Sequence, residues 1–150
     1  MKLAEALNLR ADLQKRVAQL RERLNNNVKV QEGDEPAEAP AALFAELESV
    51  TLQLKDLVYR INKTNLDTLC EGRSLTEMIA EKDMLALRIS VLREALENAN
   101  VRSDRYSRNE IKFVRAIDIA KLQKDIDDRS KALRELDARL QQANWSTELE

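Results

Sequence analysis

Four stretches of the chain repeat their apolar residues at helical spacing. In the first, from about Leu3 to Asn25, Leu13, Val17, Leu20 and Leu24 step by four, three and four, and stepping back reaches Arg10, Ala6 and Leu3. In the second, from about Pro40 to Thr64, Leu43, Leu47, Val50, Leu54, Leu57 and Ile61 alternate steps of four and three without a fault. The third, from about Ser74 to Ala99, carries Leu75, Met78, Lys82, Leu85, Ile89, Leu92 and Leu96. The fourth, from about Asp118 to Ala143, carries Ile119, Leu122, Ile126, Arg129, Leu133, Leu136 and Leu140. Each stripe predicts an amphipathic helix that turns one face to partner helices. Leu7, Leu9, Phe44, Val58, Ile79 and Val91 widen the stripes beyond a two-stranded seam, which suits a bundle.

The boundaries carry signals of their own. Asn25-Asn26-Asn27 ends the first helix, because Asn favours caps and turns over helix interiors. Pro36 and Pro40 precede the second helix, and proline suits a first helical turn. Ser74 with Glu77 fits a capping box, and Asp118 fits an N-cap. The expected fold is all-α: an antiparallel up-down-up-down four-helix bundle forming a single domain over 1–150. Two long connections, 26–39 and 100–117, then fall at the same end. Each holds a strand-like piece, Val28–Val30 and Ile111–Val114, and the two are expected to pair as a short β-ribbon or to pack together over the bundle end.

Composition narrows the chemistry. The 150 residues hold no His, one Cys and two Gly. No His-based triad, His metal ligand, Cys-built zinc site or glycine-rich phosphate loop can be assembled from that set. The carboxylates show no inward pair of the di-metal type, and Glu77 and Glu81 read as cap and surface residues. No metal and no cofactor is expected. Lys plus Arg is 25 and Asp plus Glu is 27, a net charge of −2 that exerts no general pull on nucleic acid or anionic lipid. The longest apolar run, Ala41 to Ala45, is far short of a membrane span. A soluble cytoplasmic protein is the expectation, with no signal peptide and no membrane partner.

Charge is uneven between the long connections. Residues 26–39 set Lys29 against Glu32, Asp34, Glu35 and Glu38, whereas 100–117 set Arg102, Arg105, Arg108, Lys112 and Arg115 against Asp104 and Glu110. With Tyr106 and Phe113, the basic connection is a candidate interaction loop, because clustered Arg and aromatic rings hold phosphates and stack bases. The competing reading is a solvated loop that pairs with the acidic connection.

Charged residues also interrupt the stripes. Arg10, Lys82 and Arg129 occupy core steps, and Asn62 and Asn65 fall near the height of Arg10 and Lys82. These five form a candidate polar core layer that sets register or lines a pocket, unless the long side chains reach water at the rim. Cys70 precedes a helix start near Arg73, either as a reactive thiol or as a small apolar turn residue. Trp145, the lone Trp, either seals the bundle end or anchors a contact with another subunit.

Several strings resemble a small bacterial family labelled septicolysin: Leu24 to Asp34, Arg60 to Asn65, Ser103 to Lys112 and Asn144 to Leu149. The resemblance spans nearly the whole chain and implies a short soluble protein with no assigned catalytic residue, its label suggesting a cytolysin. The residues themselves point to a non-enzymatic structural or interaction protein that self-associates as a homo-oligomer. Nucleic-acid or anion binding through 102–115 and membrane-active cytolysis are the alternatives.

Overall fold

The computed structural model describes residues 1–100 and 111–150. Its elements are α1 (Leu3–Asn27), α2 (Pro40–Asp67), β1 (Leu69–Cys70), β2 (Arg73–Ser74), α3 (Leu75–Ala99) and α4 (Ile119–Ser146). The fold is an all-α helical bundle with a short ribbon. The helix starts follow the local signals. Pro40 is the first residue of α2. Asp118 caps α4 by accepting the Lys121 N–H on Oδ1 at 3.1 Å, and Ser74 holds the position before the first residue of α3.

By contacts the chain forms two compact units, Met1–Thr76 with Gln141–Glu150, and Glu77–Leu140. In the first, α1 and α2 run antiparallel. Leu20, Leu24, Leu43 and Val50 make their core, with Leu13, Val17 and Leu47 packed against it. Ion pairs flank this core: Arg16 and Arg23 each reach Glu46 across the two helices, and Arg23 also pairs with Glu38 in the connection before α2. Asn27 ends α1 and is buried. Its Nδ2 donates to the Arg23 carbonyl at 2.8 Å, and its Oδ1 accepts the Glu38 N–H at 2.9 Å. One side chain therefore closes the helix and ties down the acidic connection after it.

The same unit holds the C-terminal segment. Leu3 N–H donates to the Thr147 carbonyl and Leu149 N–H to the Met1 carbonyl, both at 2.9 Å, so Lys2 and Glu148 form an antiparallel bridge. The Glu150 N–H reaches Oγ1 of the fully buried Thr64 at 3.0 Å.

In the second unit, α3 and α4 run antiparallel. Lys82 Nζ meets Asp137 Oδ1 at 2.5 Å, and Arg93 donates to Ser130 Oγ at 3.4 Å. Met78, Ile89, Ile126, Leu136 and Leu140 are the buried residues of these stretches, all on the stripes read from the sequence.

The ribbon sits at a different connection from the one expected. Val28–Val30 and Ile111–Val114 are irregular and exposed, and the ribbon is the pair Leu69↔Ser74 and Cys70↔Arg73 between α2 and α3. Its two-residue loop, Glu71-Gly72, has positive φ at both positions, 53° and 79°, which is the backbone a tight hairpin loop requires. Hairpin geometry over two residues closes at little entropic cost. A pairing between segments some eighty positions apart has no such local advantage.

The widened stripes also behave differently from expectation. Leu7 and Val58 are half-buried, but Leu9, Phe44, Ile79 and Val91 stand exposed. In the second unit α3 lies against α4, and one such partner covers only part of a helix's circumference.

Candidate functional site

The residues proposed as one polar layer are divided between the two units. Arg10, Asn62 and Asn65 belong to the first unit, Lys82 and Arg129 to the second. Lys82 is half-buried and ion-paired with Asp137. Arg129 lies one turn from Asp125, with Nε 2.9 Å from Oδ1, close enough for an ion pair but out of line for a hydrogen bond. The α3–α4 register places Arg129 opposite Arg93, eleven residues and about 16 Å along the helix from Lys82. Lys82 and Arg129 therefore do not share a layer. Arg10 is half-buried, and its Nε is buried with no hydrogen-bond partner among the described residues. Asn62 is exposed and Asn65 half-buried.

Of the basic loop, Arg102, Arg105, Tyr106 and Arg108 lie outside the described residues. Lys112, Phe113 and Arg115 are exposed, and Arg115 Nε donates to the Ala99 carbonyl at the end of α3 at 3.2 Å. Cys70 is half-buried in the ribbon. Trp145 is 57% exposed in the last turn of α4, so it does not seal the core.

Several of the carboxylates serve as partners for cations. A hydrogen bond from Arg23 holds the Glu38 carboxyl below its usual range. Hydrogen bonds from Lys2, then from the Met1 amino group, do the same for Glu148. Lys63 is raised, chiefly by its hydrogen bond to Glu150. Among the described residues no group of three or more Cys, Asp or Glu is placed to hold a metal ion. A groove of about 660 Å³ runs beside the first turns of α4, lined by Ile117, Leu122 and the mixed charges of Asp118, Lys121, Lys124, Asp125 and Asp128. Much of its polarity is used within the helix, where Asp118 caps Lys121 and Lys124 pairs with Asp128 at 2.7 Å. A smaller groove between α1 and α2 is mainly apolar and includes Val17, Leu24, Val28, Phe44 and Leu47.

The feature that stands out is apolar surface. On α2, Phe44, Leu52, Tyr59 and Leu66 are exposed, spaced by eight, seven and seven. On α3, Met84 (61%), Leu87 (57%) and Val91 (57%) are exposed. With Ala80 they step by four, three and four, the same rhythm as the stripe that faces α4. At 3.6 residues per turn the two α3 stripes lie on opposite sides of the helix. The signal was present in the sequence: α3 is apolar on two faces. Following one stripe per helix passes over the second.

Among solved structures, a functionally unknown conserved protein from Corynebacterium diphtheriae is similar to this chain. The two share 41% sequence identity with a TM-score of 0.92, over 100% of this chain and 99% of that one. No curated protein matches. Among the described residues, no helix is long and apolar enough to cross a membrane. The resemblance to septicolysin is overturned by the family match, and the cytolytic reading loses the label on which it stood. Three of the four strings that suggested it lie at the end of α1, the last turns of α2 and the end of α4. Asn, Asp and Ser gather at such places in any helical protein, so strings there discriminate poorly between families. The sequence pattern of DUF6847, a family of unknown function, matches residues 10–149, and the chain belongs to that family.

Proposed function

We propose that the protein is a non-enzymatic interaction module of the cytoplasm that works by associating with a second copy of itself. The observation that carries this reading is the large apolar side chains left in water at helical spacing on α2 and, in the other unit, on α3. Apolar side chains scattered singly are ordinary, but aligned at helical spacing they form the surface that helix-to-helix association uses. The test is the mass in solution across a wide concentration range, by sedimentation. A concentration-dependent shift to at least twice the chain mass supports the reading, and a monomer throughout refutes it.

Anion binding through 102–115 is a second reading, favoured by the exposure of Lys112 and Phe113. Salt-dependent retention on heparin, lost on replacing Arg105 and Arg108 together by Ala, distinguishes it.

A further inference from the structure

Resting on that self-association reading, we infer that the outer stripe of α3 is its seam, and that two copies of this helix pack antiparallel about a two-fold axis passing between Leu85 and Ala86. The stripe of Ala80, Met84, Leu87 and Val91 is self-complementary in that sense. Antiparallel helices pair an a position with a d position of the partner. With Met84 opposite the partner's Leu87, Ala80 falls opposite the partner's Val91, and the two-fold repeats both layers. The small residue always meets a branched one, so the helix separation stays even along the seam. A parallel pairing would set Ala80 against the partner's Ala80 and Val91 against the partner's Val91, which tapers the gap.

The flanking charges agree. On one edge, Glu81 faces the partner's Arg88 and Arg88 the partner's Glu81, giving two opposite-charge contacts per dimer. On the other edge, Asp83 faces the partner's Ser90. Beyond these, Glu77 and Glu94 enter the same face and end the seam. A seam of this length buries on the order of 1,000 Å² over both copies, near the lower bound for a specific interface. The dimer is therefore one that forms and dissociates with concentration.

The register is tested by charge exchange on the full chain. E81R and R88E each place like charges opposite one another twice. Each is expected to weaken dimerisation by about tenfold in sedimentation at low salt. Glu81 also has a contact within its own chain, so its variant is not read alone. An equimolar mixture of E81R and R88E re-forms both opposite-charge contacts and is expected to recover dimer, as is the double variant. That recovery also shows that the single variants are folded. Leu87→Glu is expected to leave only monomer with unchanged helix content by circular dichroism. If the wild type dimerises but Leu87→Glu and both charge variants dimerise equally well, the seam is elsewhere and this inference fails while self-association stands. If Asp83→Arg weakens the dimer and E81R does not, the helices run parallel and the register is overturned. If the wild type is monomeric throughout, the underlying reading fails as well.

Discussion

Asn27 offers the sharpest test of how the first unit is held together. Replacing it by Ala removes two hydrogen bonds, to the Arg23 carbonyl at 2.8 Å and from the Glu38 N–H at 2.9 Å. Each such bond contributes about 1 kcal/mol net, and a half-buried N–H left without a partner costs roughly 1 kcal/mol more. Alanine returns about 0.5 kcal/mol through its better helix propensity. The net loss is about 2.5 kcal/mol, or roughly 5–10 °C in melting temperature for a chain of this size. Asn26 is the control, since it is one residue away, helical and exposed. Asn26→Ala keeps the propensity gain and loses no such bond, so it should be neutral or slightly stabilising. The assay is urea unfolding followed by helix content, with amide exchange across 28–39 as a second readout. Faster exchange there in Asn27→Ala is expected, because the Glu38 N–H loses its acceptor. Equal stability of the two variants would refute the argument, as it would mean that the buried amide contributes no more than an exposed one.

Core and surface leucines should separate cleanly. Leu20→Ala, at a fully buried position in the α1–α2 core, should cost about 2–5 kcal/mol, against under about 0.5 kcal/mol for the exposed Leu52→Ala, both by urea unfolding. Gly72→Ala should cost about 1–2 kcal/mol through its φ of 79°, since nothing lies within 4 Å of the added methyl group and the strain is conformational. Glu71→Asn, at φ 53°, should be neutral or stabilising in the same assay. Stability should also fall with acid. The folded-state pKa values of Glu38 and Glu148 are lowered. Their contribution is therefore fully present above the unfolded carboxylate pKa of about 4.3 and is lost as pH falls through the lowered folded values. Urea midpoints between pH 7 and pH 3 check this, and Glu38→Gln should flatten the acid limb.

Much of the architecture was legible from residue spacing alone. The stripes over Leu43 to Ile61 and Met78 to Leu96 placed α2 and α3, and Pro40, Ser74 and Asp118 marked helix starts, because capping and periodicity are local properties read within a turn or two. The candidate site was less legible. Lys82 and Arg129 break their stripes equally well in sequence, yet the α3–α4 register separates them by about 16 Å and gives each its own aspartate. That register is a property of two helices, visible in neither alone.

The sequence by itself determined which residues are helical, where most helices begin and which stripe each helix turns inward. Backbone hydrogen bonding and side-chain periodicity act over a few residues, and this chain is locally consistent at nearly every step. Only the tertiary structure decided that the ribbon forms at Leu69–Ser74, that the C-terminal segment pairs with Met1–Leu3, and that the second apolar face of α3 is left in water. Each of these outcomes depends on which distant segments meet, and a stripe's burial is set by how many partners the helix acquires, not by the stripe itself.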